Sequence, residues 1–320
     1  MGSLKARQQI TARGVNDTDC LRRDASCQET AELTINLTHH ALEANGIKQH
    51  YVEVGNGPPV ILLHGFPQTW YAWRKQIPVL GKRYHLIIPD LRGYGATAKP
   101  ATGYDKRTMA NDILALMQQR GIERAVIIGH DRGARVATRF AKDHPGAIAR
   151  LGVLDNIPTR VIFERMDVEI ARAHWFFIFN SVPDLPEALI TGREEIWLRF
   201  IFQSWIYDPE VLTPEDIAVY VRSYRQHGAL RGALEDYRAA RIDVAQDQQD
   251  QHIKIACPTL VLPGTEFEAG GRMWDFEAVW REMATDLRFA PIEQCGHLPQ
   301  EERPEQVNPV LLDFLAGWEG

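Results

Sequence analysis

The sequence predicts a doubly wound α/β domain, a mostly parallel sheet with an inserted helical cap. Three observations predict it. Short, unbroken apolar runs recur along the chain, as in strands buried on both faces. Amphipathic stretches separate most of them, the alternation of a parallel sheet. One long helical, aromatic-rich segment interrupts that alternation.

In chain order, 39–43 and 47–54 flank Asn45-Gly46, a strong hairpin signal. Pro59–Leu63, 84–89, 125–128, 151–154 and 259–262 read as buried strands, and 287–290 as a weaker one. Lys106 to Gln119 places Met109, Ile113, Leu116 and Met117 at helical spacing. Residues 133–144 read as a helix that stops before Pro145, and 304–318 as a C-terminal helix. The expected organisation is a flexible leader over 1–34, a core over 35–158 and 250–320, and a helical cap over 159–249.

Composition narrows the function. The 320 residues carry 36 Lys plus Arg against 42 Asp plus Glu, a net charge of −6. That balance offers no footprint for nucleic acid. No apolar run reaches the ~18 residues of a membrane span. Cys20, Cys27, Cys257 and Cys295 form no C-x-x-C pair, which disfavours a thiolate metal site or redox motif. The leader has no secretory h-region, so its sequon at Asn16 carries little weight, nor does the one at Asn36. The expectation is a cytoplasmic protein with no metal and no organic cofactor.

The chemistry gathers around Gly129-His130-Asp131-Arg132-Gly133, at the end of the third buried run and the start of a helix. A small-x-nucleophile-x-small turn there exposes its central side chain. That residue is Asp131 rather than a serine. A carboxylate is already charged, needs no base, and displaces a leaving group from saturated carbon to form an ester. His64-Gly65-Phe66-Pro67 follows the first buried run, so the Phe66 and Arg132 amides are candidates for an oxyanion hole. His297, between the last strand and the final helix, is the candidate general base. Asp155, ending the fourth run, is the candidate orienting acid, with Glu266 and Glu268 as rivals. Arg132 and Arg135 follow the nucleophile, and a guanidinium fork matches a carboxylate. An anionic substrate is therefore expected.

These motifs, in order from about Leu42 to Gly317, resemble the fluoroacetate (haloacetate) dehalogenase family of the α/β-hydrolase superfamily. The likeness rests on Gly129-His130-Asp131-Arg132-Gly133-Ala134-Arg135, Leu154-Asp155-Asn156-Ile157-Pro158-Thr159, His174-Trp175 and Glu235-Asp236-Tyr237-Arg238-Ala239. It implies an enzyme that converts a short 2-haloacid, fluoroacetate above others, and water to the 2-hydroxy acid and halide. Arg132 and Arg135 would clamp the substrate carboxylate. His174, Trp175 and Tyr237 would receive the halide. Many such relatives are homodimers. An epoxide hydrolase is the alternative. Such enzymes use two cap tyrosines, for which Tyr220 or Tyr224 would join Tyr237, but they usually carry Trp where this chain has Arg132.

Overall fold

The computed structural model describes Arg7, Gln8 and residues 37–320. The leader reading therefore falls almost wholly outside the described residues, as do Cys20, Cys27 and Asn16.

The sheet has nine strands in the order β1-β2-β3-β5-β4-β6-β7-β8-β9. They are β1 (Arg7–Gln8), β2 (Leu37–Ala44), β3 (Ile47–Val54), β4 (Pro59–Leu63), β5 (His85–Pro89), β6 (Ala125–His130), β7 (Ile148–Leu154), β8 (Thr259–Leu262) and β9 (Leu287–Phe289). The pairs from β5 through β4, β6, β7 and β8 to β9 are all parallel, and the β2–β3 hairpin joins antiparallel through β5.

Strand periodicity feeds two cores. Ile61, Leu63, Ile87, Ile127 and Val261 face one, and Val60, Leu62, Leu86, Val126, Ile128 and Leu260 face the other. This is why the strands read as continuous apolar runs: alternate side chains point to opposite faces, and both faces are covered. Helices α1 (Ile77–Leu80) and α14 (Pro304–Leu315) cover the second core. Helices α2 (Lys106–Gln119), α3 (Arg132–Asp143) and α12 (Phe276–Met283) cover the first. Asp105 starts α2 by accepting the Thr108 amide at 3.1 Å, a side-chain cap.

Between β7 and β8 the described residues form eight helices and no strand. They are α4 (Thr159–Glu164), α5 (Val168–Ala173), α6 (Trp175–Ser181), α7 (Leu185–Ile190), α8 (Glu194–Trp205), α9 (Pro214–Tyr224), α10 (Ala229–Arg238) and α11 (Ala240–Gln249). Thr213 and Asp216 start α9 with a reciprocal capping box. Short α13 (Pro299–Glu302) lies between β9 and α14 and was not anticipated, nor was α12. Among the described residues no helix is long and apolar enough to cross a membrane.

Candidate active site

The turn from β6 to α3 explains why glycines flank Asp131. A methyl group at Gly129 would strike the Gly133 carbonyl, and one at Gly133 would strike the Leu63 and His64 carbonyls. With that space left open, Asp131 takes φ 45° and ψ −112°, a costly conformation for a residue with a side chain. It lifts the carboxylate off the carboxyl edge of the sheet, where Asp131 is 6% exposed.

The neighbouring strand ends supply its partners. The Phe66 amide donates to Asp131 Oδ2 at 3.0 Å. Arg132 opens α3, so its amide belongs to the first turn, where N–H groups lack helical acceptors. His297 Nδ1 meets Asp155 Oδ2 at 2.5 Å, and Asp155 Oδ1 accepts the Gly264 amide at 3.0 Å. His297 Nε2 stands 3.9 Å from Asp131 Oδ2, an ion-pair separation too long for a hydrogen bond. Of the rival acids, Glu266 pairs with Arg272 and Glu268 with Arg172, so neither is placed as an orienter.

Charge follows this geometry. Burial disfavours the imidazolium of His297, but Asp131 and Asp155 outweigh it and raise its pKa to about 9. Burial likewise opposes ionisation of Asp131, yet His297, His130 and Arg135 hold its carboxyl below the usual range. The resting pair is a carboxylate facing an imidazolium.

The two arginines differ. Arg135 lines the same cavity as Asp131, Asp155, His174, Phe177 and His297. Its Nη1 donates to Thr159 Oγ1 at 2.6 Å, and its buried Nε has no partner. Burial and the neighbouring Arg132 lower its pKa to about 10, the mark of a cation short of anions. Arg132 is fully buried and already paired. Its Nε and Nη2 reach the Asp236 carboxylate at 3.1 and 2.6 Å, and its guanidinium lies over the Tyr237 ring at 4.4 Å. Asp236 also binds Lys106 and the Tyr94 hydroxyl. Only Arg132 Nη1 is left unpaired. Of the two arginines expected to clamp a carboxylate, Arg132 is already held by an acid two turns into α10, and Arg135 alone lines the cavity.

The halide candidates also separate. His174 lines the cavity, but its Nδ1–H donates to the Ile170 carbonyl at 3.0 Å. Burial lowers its pKa to about 4, so its Nε2 carries a lone pair and accepts rather than donates. Trp175 packs edge-on against Trp197 and Phe200 and, like Tyr237 and Tyr224, is not among the side chains that line this cavity. Tyr237 packs against Phe66 and Phe177, and burial and the Asp131 charge raise its hydroxyl pKa. Tyr224 lies edge-on to Phe66, with a buried hydroxyl that has no partner. Tyr220 is not available for such a role, since it donates to Glu301 at 2.8 Å.

Asp236, Thr159 and the rings of Phe267 and Trp205, centred 4.5 and 5.0 Å from that of His297, carried no assigned role in the sequence reading. A signal for Asp236 existed: an arginine inside a core helix requires a buried acid.

This fold and nucleophile elbow define a hydrolase-type scaffold, and comparison agrees. Residues 58–183 match the family model described as alpha/beta hydrolase fold. The chain is 35% identical over 288 residues to the soluble epoxide hydrolase of Corynebacterium sp. (strain C12), covering 89% of this chain and 99% of that protein. It is 36% identical over 273 residues to the fluoroacetate dehalogenase of Burkholderia sp., covering 82% and 88%. The crystal structure of Cfl2 from Burkholderia cenocepacia superposes with a TM-score of 0.83 at 33% identity, covering 89% of this chain and 98% of that one. The chain belongs to the α/β-hydrolase family and is a hydrolase.

Proposed function

We propose that this hydrolase is a haloacetate dehalogenase, with fluoroacetate as its leading substrate. One observation carries the reading: Arg135, a buried cation with an unpartnered Nε, shares the cavity of the Asp131 nucleophile. A substrate carboxylate on Arg135, with Arg132 Nη1 as a further donor, sets the adjacent carbon before Asp131. Asp131 attacks that carbon, the C–O bond forms, and the halide leaves with the C–X electron pair. The Tyr237 and Tyr224 hydroxyls donate to it. Esterification removes the charge of Asp131, and with it part of what keeps His297 protonated. His297 then sheds its proton and takes one from water. The hydroxide adds to the ester carbonyl, the Phe66 and Arg132 amides hold the oxyanion, and the acyl C–O bond breaks. The hydroxy acid leaves with the proton from His297, the new Asp131 carboxyl passes its own proton to His297, and the resting carboxylate and imidazolium are restored.

A second reading, an epoxide hydrolase, is favoured by the unpartnered Tyr224 hydroxyl beside Tyr237, a pair suited to protonating an alkoxide. Both readings share the aspartyl ester and differ in the need for Arg135. The test is halide release from fluoro-, chloro- and bromoacetate against diol formation from styrene oxide, for the parent protein and Arg135→Leu. Haloacetate turnover abolished by Arg135→Leu is the expected result. Styrene oxide turnover that survives this change, with no halide release by the parent, would replace the first reading by the second.

A further inference from the structure

We infer that Glu302 is the positioning residue of the general base and ties that base to the helical segment above it. The inference deepens the two-step route proposed above and rests on it.

The loop carrying His297 has no regular structure of its own, yet its backbone polar groups are specified. Glu302 Oε2 accepts the Gly296 amide at 3.0 Å, and Oε1 accepts the Leu298 amide at 3.0 Å. The amides on both sides of the base thus converge on one carboxylate, which is 2% exposed. The His297 amide donates to the Trp205 carbonyl at 2.8 Å, and the His297 carbonyl accepts His130 Nε2 at 2.6 Å. A third amide reaches the same carboxylate from just beyond α8: Tyr207 N–H donates to Glu302 Oε2 at 2.7 Å. Trp205 ends α8 and Tyr207 follows it, so the end of that helix holds the base loop through two backbone bonds, one of them routed through Glu302.

A carboxylate suits three converging amides, having two acceptor oxygens and no donor; burial pushes the Glu302 carboxyl up, and the three amides work against that by favouring the charged form. An amide side chain of the same size turns an NH₂ toward a backbone N–H. Gly296 marks how close the parts lie. A methyl group there would strike the Trp205 carbonyl and come within 2.8 Å of Tyr207 N and 2.9 Å of Glu302 Oε1. The base is therefore set by a three-way junction of the His297 loop, α13 and the end of α8. Its position matters to one step alone. Displacement by Asp131 needs no base; ester hydrolysis does.

The prediction is a split between steps. In Glu302→Gln, the ester on Asp131 forms at the parent rate and its hydrolysis slows roughly 10- to 100-fold, the cost of a misplaced catalytic group. The full-length parent, Glu302→Gln and His297→Asn are each mixed with bromoacetate, and adduct and free bromide are followed by quenched intact mass spectrometry. Gly296→Ala is a second route to the same test; it keeps the carboxylate and wedges the junction apart. Adduct accumulation in Glu302→Gln or Gly296→Ala, with a burst of bromide, supports the inference. Adduct in His297→Asn but in neither junction variant overturns Glu302's role alone, as does an equal slowing of both steps. No adduct in His297→Asn overturns the two-step route and the inference with it.

Discussion

On the sheet side of the cavity, Asp131, Asp155 and His297 stand at strand ends or on the loops that follow, and the backbone holds each one. Phe66 N–H fixes Asp131, Gly264 N–H fixes Asp155, and Trp205 O fixes the His297 loop. On the helical side, Tyr224 and Tyr237 are held by ring packing, His174 by ring packing and a bond to the Ile170 carbonyl, and the guanidinium that Arg132 sends up from α3 by Asp236 and the Tyr237 ring. Backbone placement follows from topology, whereas side-chain placement follows from packing. On the proposed route the sheet side therefore sets the reaction, a covalent ester and its hydrolysis, while the helical side sets what is bound and which atom leaves.

The sharpest way to break that division is at the nucleophile. Asp131→Asn is expected to lower the initial rate by about 10⁴-fold or more, as loss of a nucleophile does in other covalent enzymes. Early time points are required, because hydrolysis of the new amide regenerates aspartate. A full early rate would show that the elbow presents a binding group instead.

On the helical side the expected loss is smaller and depends on the leaving group. Fluoride concentrates charge and breaks a strong bond, so its departure demands more donation than bromide's. Tyr237→Phe should lower kcat/KM for fluoroacetate by roughly 10²–10³, the cost of one donor to a developing anion. Bromoacetate should lose far less. Equal losses for both halides would reduce Tyr237 to a packing partner of Phe66 and Phe177 and erase the proposed division.

A gentler probe is pH. The raised pKa of His297, about 9, depends on charged Asp131 as well as Asp155. Bromide burst rates should stay flat from about pH 6 to 8, since displacement uses no base. Ester hydrolysis should rise with pH and level off below 9, because the esterified Asp131 no longer supports the imidazolium. Folding stability should show the opposite trend. A raised folded-state pKa contributes stability present in full below the ordinary value of 6.5 and lost as pH climbs through about 9. Hydrolysis still climbing beyond pH 9 would mean that Asp155 alone sets the base.

The same division decides what the sequence made legible. Strands β4, β5, β6, β7 and β8 contain short apolar runs, and the carboxyl ends of β6 and β7 locate the elbow and the acid from sequence alone. Gly129 and Gly133 betray the elbow because no side chain fits there. The segment over 159–249 announces its helices through periodicity, but periodicity cannot say which aromatic turns inward. Trp175 and Tyr237 look equally suited as donors in sequence and stand in different surroundings in the fold. Arg132 reads as free for substrate because Asp236 is more than a hundred residues away along the chain.

The smallest expected effect tests the one choice on the sheet side that sequence left open. Glu266 follows β8 and was a plausible orienter for His297. In the fold its carboxylate pairs with Arg272 at 2.5 Å, at the surface, while Asp155 lies 2.5 Å from His297 Nδ1 and is buried. An exposed pair of this kind contributes about 0–1 kcal/mol. Glu266→Gln should therefore leave kcat/KM unchanged within about twofold and shift Tm little. Asp155→Asn removes the acceptor that fixes the imidazole tautomer, a change that costs about 10⁴-fold in serine proteases. The two variants, assayed side by side on fluoroacetate, separate the readings without further structure. A large loss in Glu266→Gln with a mild one in Asp155→Asn would move the orienting acid from the end of β7 to the loop after β8.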